Sequence, residues 1–214
     1  MSAQASEAFI LRTYPLREAD LIVSYFTRDQ GKLRGVARRA RKPVNRFGSA
    51  LQRLSYVKVF YFHRENRDLD SLDSCELIHS QFGLASSYEL AVGLDYMAEL
   101  SEQLLPAQEP NERFFRLLLA VTAYLRETGP QALWPAVNYF TLWAVRLSGF
   151  LAPMELTGDD HQLAEEILRS PIGRLAPREW SRKTGSGLRR RLIALIEEQT
   201  ERRLLTPQYL ETLP

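Results

Sequence analysis

The chain has 214 residues, 45% of them apolar and 10% aromatic, and its 28 Lys and Arg nearly balance 26 Asp and Glu. That length and apolar share suit a folded core of one large domain or two modest ones and exclude a wholly disordered chain. Apolar runs such as FFRLLLAVTAYL are too short to span a bilayer, MSAQASEAF lacks an export-signal layout, and a single cysteine, Cys75, excludes an internal disulfide framework or a CxxC metal site, so a cytoplasmic protein without membrane association is expected.

Taken in chain order, the first eighty residues read as strands. FILRTYP (9–15) and LIVSYFT (21–27) are rich in β-formers, and RDQG then forms a hairpin loop before KLRGVA (32–37). LSYVKVFYF (54–62) and LDSCELI (72–78) complete five short strands, which suit a small barrel or sandwich. The stretch KLRGVARRARKPVNRFG begins in the third strand and continues into the next connection. It holds Lys32, Arg34, Arg38, Arg39, Arg41, Lys42 and Arg46 with no acid between residues 32 and 46. Gly35, Pro43 and Gly48 argue against one helix through it. Residues 1–80 carry a net charge of +5 and residues 81–214 a net charge of −3, so the first part is the one suited to a polyanion.

From Ser86 the period changes. Ser86 and Glu89 stand at capping-box spacing, and Leu90, Leu94, Met97, Leu100 and Leu104 then share one helical face. Pro106 and Pro110 end that helix. Asn111 caps the next, with Phe114, Leu118, Val121 and Leu125 on its inner face. ETGP breaks the pattern, and 131–148 form a third helix, apolar nearly all round and therefore central. Weaker helices follow over 158–169, with Thr157 and Asp160 at capping-box spacing, and over 187–204.

Few residues suggest catalysis. His63, His79 and His161 are scattered, and the neighbours Asp159, Asp160 and His161 suit a helix start better than a metal. Cys75 reads as an inert strand thiol, and Trp134, Tyr139, Phe140 and Trp143 as core. GSGLRRR (185–191) offers a helix start and three arginines to a phosphate but lacks the Walker lysine-and-hydroxyl layout. No catalytic residue, metal site or cofactor is expected. The basic stretch differs, because seven like charges repel unless something negative offsets them, and five are arginines suited to bidentate phosphate contact. Tyr14, Tyr25, Phe26 and Phe47 are candidate stacking surfaces, and Arg178, Arg182, Lys183 and Arg189 to Arg191 form a second cluster able to extend a nucleic-acid path.

Residues 10–55 resemble the N-terminal domain of the RecO family of bacterial recombination mediators. The resemblance rests on Leu11-Arg12-Thr13, Glu18 and Asp20, Phe26-Thr27, Gly31-Lys32, Gly35-Val36-Ala37, Ala40-Arg41, Arg46-Phe47-Gly48, Leu51 and Leu54-Ser55. It continues through Leu147-Ser148-Gly149-Phe150 and returns at Arg202-Arg203-Leu204 with Tyr209-Leu210. It implies an α+β chain, with a five-stranded OB-fold β-barrel over residues 1–80 and an all-helical domain over 81–214. It also implies a non-enzymatic protein that binds single- and double-stranded DNA, anneals complementary strands, contacts the single-stranded-DNA-binding protein SSB and RecR, and helps RecA load. DNA binding carries over to Lys32, Arg34, Arg38, Arg41, Lys42 and Arg46, whereas Arg39 joins them by charge alone. Glu18 and Asp20 are expected to fix a turn, and Arg113, Arg116 and Arg126 are conceivable rim residues for an acidic SSB tail. Many members carry a four-cysteine zinc module after the segment matching GF; here GFLAPMELTGDDHQL runs on without cysteine. An RNA-binding OB protein and an adaptor for an acidic protein partner are the alternatives.

Overall fold

A computed structural model of the protein describes residues 2–63, 68–151, 156 and 158–213. The chain divides into two units, Met1–Gly83 with Leu105–Phe115, and Leu84–Leu104 with Arg116–Pro214. In the first, strands β1 (Ser2–Pro15), β2 (Leu21–Thr27), β3 (Gly31–Ala37), β4 (Tyr56–His63) and β5 (Asp70–His79) close a barrel in the order β1-β2-β3-β5-β4. This order, with β3 and β5 parallel and the other pairs antiparallel, is that of an OB-fold.

Closure depends on the length of β1. Residues 2–9 pair with β4 and residues 8–15 with β2, so one strand serves both neighbours. The polar start SAQASEA has little β-propensity of its own, which is why the sequence places the strand start at Phe9 instead of Ser2; pairing with β4 extends it. An irregularity between Ile10 and Arg12 turns the strand around the barrel corner. Inside, Ala8, Ile10, Val23, Tyr25, Leu33, Val57 and Val59 pack together, and Phe47 and Ala50 from the β3–β4 connection join them. The connection carrying the basic stretch is therefore anchored in the core.

A second apolar layer lies outside the strands. Phe9 and Phe26, each fully buried, meet Phe115 at centroid separations of 5.2 and 5.8 Å, and Phe114 stands 5.9 Å from Phe26. Beside it the Gln108 amide donates to the Lys32 carbonyl at 3.0 Å, and Arg28 bridges Glu7 and Glu112. Gly31, at φ 77°, lies so close to Glu109 that any side chain there would overlap its backbone. Residues 105–115 thus belong to the barrel unit although they follow the first helix in sequence.

The second unit holds α1 (Tyr88–Leu104), α3 (Leu133–Leu147), α4 (Gly158–Arg169), α5 (Ser186–Thr200) and the short α6 (Pro207–Leu210), with most of α2 (Glu112–Thr128). Leu90, Leu94, Met97, Leu100 and Leu104 are all buried, as the spacing requires. The cap of α1 is Ser87 rather than Ser86: its hydroxyl donates to Glu89 at 2.7 Å and accepts from the Leu90 amide at 3.4 Å. Asn111 caps α2 through the Phe114 amide at 3.0 Å. Trp134 and Phe140 are core on α3, whereas Tyr139 and Trp143 are half-buried. Thr157 lies outside the described residues. The helix expected over 187–204 ends at Thr200, where Glu201 turns left-handed at φ 52°.

Candidate nucleic-acid interface

Alternation along β3 turns Leu33, Gly35 and Ala37 into the barrel and Lys32, Arg34 and Val36 out of it. Lys32 is half-buried beside residues 107–109, and Arg34 is exposed. Past the strand end Arg38, Arg39, Arg41, Lys42 and Arg46 are all exposed. Asn45 shapes this segment: its side-chain oxygen accepts from the Phe47 and Gly48 amides, and its nitrogen donates to the Lys42 carbonyl at 2.8 Å. That turn drives Phe47 inward while leaving its charged neighbours in solvent.

The turn before β2 holds the other side. Asp20 accepts the Arg39 backbone amide at 2.8 Å, with Arg39 at φ 58°, and the Arg41 amide donates to the Ala19 carbonyl at 3.0 Å. The same turn is closed by the Leu16 amide on the Asp20 carbonyl. Asp20 therefore fixes its own turn and also fastens the basic connection to it. Glu18 is exposed.

Between these parts lies an open cleft of about 830 Å³. It is lined by Leu16, Arg17 and Asp20, by Val36, Arg38 and Arg39, and by Asp68 to Ser71 at the start of β5. OB-folds bind oligonucleotides across strands 2 and 3 between the β1–β2 and β4–β5 connections, which is where this cleft sits. Its one deeply buried carboxylate, Asp70, is satisfied by the Tyr25 hydroxyl at 3.0 Å and His63 Nδ1 at 2.8 Å. Burial, with Asp70 alongside, pushes the Tyr25 hydroxyl well above its ordinary range, so it stays a donor. His63 ends β4 and Asp70 opens β5, so the pair ties together both ends of that connection.

The seven predicted cations are not equivalent. Arg46 pairs with Asp73 at 2.7 Å, both exposed, an arrangement worth at most about 1 kcal/mol and easily exchanged for a phosphate. Among the described residues no hydrogen-bond or ion-pair partner stands against the side chains of Arg38, Arg39 or Lys42. Of the proposed stacking residues, Tyr25, Phe26 and Phe47 are excluded, because burial in or around the barrel leaves no ring face open. Tyr14 alone is half-buried on the outer face. Spacing in the sequence does not mark Arg12 or Arg17 as cations of this surface, since a bulge and a turn decide where they point.

The fold engages two members of the second cationic cluster, Arg189 and Arg178, and leaves Lys183, Arg190 and Arg191 exposed. Arg189 is 2% exposed and donates to Asn138 Oδ1 at 2.9 Å, the Thr184 carbonyl at 2.6 Å and the Arg182 carbonyl. It also lies over the Trp134 ring at 4.8 Å, and burial lowers its pKa. Arg178 is paired with Glu166. The GSG helix start is closed to anions, because Asp160 from α4 accepts the Leu188 amide there at 3.2 Å. Asp160 thus caps α5.

Comparisons with known proteins bear on the whole chain. Residues 1–81 match the family "Recombination protein O N terminal" and residues 85–155 match "Recombination protein O C terminal". A protein named "DNA repair protein RecO" from Koribacter versatilis is 38% identical over 97% of this chain and 98% of its own length. The chain belongs to the RecO family. RecO proteins of Bifidobacterium animalis subsp. lactis and Pelotomaculum thermopropionicum are 36% and 31% identical over 70% and 72% of this chain, covering 62% and 59% of their own lengths. The four-cysteine zinc module of many RecO members does not fit here, because Cys75, the only cysteine, lies in the barrel wall with burial pushing its thiol up to about 12. Among the described residues no group of three or more His, Cys, Asp or Glu could hold a metal, and no helix is long and apolar enough to cross a membrane.

Proposed function

We propose that this protein binds DNA through the barrel cleft and acts in DNA repair and recombination as a non-enzymatic mediator. One observation supports the reading: the OB cleft is lined by Arg17, Arg38 and Arg39, with the exposed Arg34, Arg41 and Lys42 on the same strand and connection, while its buried carboxylate, Asp70, is hydrogen-bonded by Tyr25 and His63. Cations on a free barrel face attract phosphates and release their counterions, and contact with the backbone carries little base information. Single strands and duplexes are therefore both ligands, and two strands held by one cationic surface repel each other less, which favours annealing. Lys32 contributes at the covered edge of the face, and Arg46 by exchanging Asp73 for phosphate.

RecA loading on SSB-coated DNA, with RecR as a further partner, is the corresponding cellular role. The helical unit supplies the protein-docking surface, with the exposed Arg116 and Arg126 of α2 available to an acidic tail, whereas Arg113 falls in the barrel unit. Such work places the protein in the cytoplasm with the chromosome.

The test is fluorescence anisotropy of labelled single-stranded DNA over a salt series, for wild type and for Arg34→Ala/Arg38→Ala/Lys42→Ala. Each phosphate contact contributes about 0.7 to the log–log salt slope on a single strand, so the triple change lowers it by about 2. An unchanged slope removes these residues from the interface. Failure of wild type to bind DNA at low salt sinks the reading, and clear preference for a matched RNA strand redirects it to RNA.

A further inference from the structure

The barrel's outer surface carries two register rows that cross β1, β2 and β3. In one, Arg12, Ser24 and Arg34 stand side by side; in the next, Tyr14, Ile22 and Val36 do. The irregularity at Leu11 creates this alignment. Ile10 points into the barrel, and in a strand that alternated regularly through Leu11 the side chains of Arg12 and Tyr14 would share its inward face. Strand spacing places the Arg12 and Arg34 backbones about 10 Å apart, with the small Ser24 between them.

Arg12 is exposed, and its guanidinium lies 5.1 Å from the centroid of the half-buried Tyr14 ring. The ring is thus braced by a cation on its own strand and bordered by the aliphatic Ile22 and Val36, which are themselves only half-buried. Val36 also lines the cleft, so this row leads into it. A tyrosine held this way has the chemistry to stack on a base, since every base presents a π-face whatever its identity. Duplex DNA keeps those faces inside its own stack.

The same barrel provides a contrast. On β4, Lys58 lies 5.4 Å from the Phe60 ring, an outwardly similar pair. There the register sets Glu7 on one side of Lys58 and Glu76 on the other. Two carboxylates bracketing the lysine oppose a phosphate backbone, whereas the register partners Arg12, Ser24 and Arg34 include no acid.

We propose that Tyr14, braced by Arg12, is a stacking platform for an unpaired base, and that this contact makes the barrel favour single strands over duplex. The proposal rests on the DNA-binding reading above. It is tested with the full chain by anisotropy on oligothymidylate, an abasic oligomer of equal length and a duplex. Tyr14→Ala is expected to weaken oligothymidylate binding about tenfold while leaving the abasic oligomer and duplex unchanged. Tyr14→Trp should keep the affinity and show indole quenching on oligothymidylate that wild type lacks. Phe60→Ala should bind as wild type does. If wild type binds but Tyr14→Ala loses nothing on oligothymidylate, stacking is wrong and cation-driven binding stands. Equal losses on all three ligands also overturn it, by showing a structural or purely electrostatic role. Absence of any wild-type binding removes both readings together.

Discussion

Replacing Arg189 with methionine distinguishes a buried structural arginine from one on the proposed DNA surface. Methionine keeps most of the stem volume but leaves the Asn138 side-chain oxygen and the Thr184 and Arg182 carbonyls without their donor. Asn138 is fully buried, so water has no access to its oxygen in compensation. Hydrogen bonds to a charged group contribute about 1.5–3 kcal/mol each, and the contact with Trp134 adds to them. Against that gain stands the cost of burying a guanidinium, which is the reason its pKa is lowered and the reason three bonds do not add in full. A net loss of about 3 kcal/mol is expected, or roughly 6–12 °C in Tm for a chain of this length. Thermal unfolding followed by tryptophan fluorescence reads it directly, because Trp134 lies against the substituted side chain. Arg189→Lys should fall between, since one ammonium reaches fewer of the three acceptors at the right angles. DNA affinity at low temperature, where the variant is folded, should match wild type in value and salt slope. A Tm within about 2 °C of wild type would refute the reasoning. So would a fall in DNA affinity at unchanged Tm, which would put the guanidinium at the surface.

Two further predictions concern stability. Gly31→Ala introduces a Cβ into the Glu109 backbone at a left-handed position, so it should cost about 2–4 kcal/mol and loosen residues 105–115 from β3; hydrogen exchange at the Gln108 amide measures this, and unchanged protection would contradict the close packing. Burial raises Cys75 from an ordinary 9.0, and Tyr56 and Tyr61 from 10.0, each to about 12. All three are essentially neutral in both states below about pH 8, so they leave stability unchanged there. Above it the unfolded chain loses protons that the folded chain keeps, and stability falls from about pH 8 towards 12. Urea midpoints across that range should decline, and a flat profile would show that these groups are solvated.

The residues of the strands and helices contain most of the information that places them. Val, Ile, Tyr and Phe in short runs between turn residues determine five strands, and leucines at helical steps determine the inner faces of α1 and α2. The charge asymmetry is equally local: residues 32–46 hold seven cations and no acid, which is read from the chain alone. Family membership too is written in the chain, as ordered matches over its first 55 residues. Tertiary structure decided what depends on residues far apart in sequence. Which arginines face solvent is one such matter: Arg189, beside two exposed arginines, is drawn inward by acceptors on α3 and the preceding loop. The rings at Tyr25, Phe26 and Phe47 are another, since spacing does not say whether an aromatic fills a core or waits for a base. The alignment of Arg12 and Arg34 on either side of Ser24 depends on a one-residue bulge and on strand register, and the recruitment of residues 105–115 to the barrel on packing around Phe26. Sequence fixes local preference because backbone and side-chain energies are short-ranged; it leaves open which distant groups meet, because that is settled by the burial of the whole chain at once.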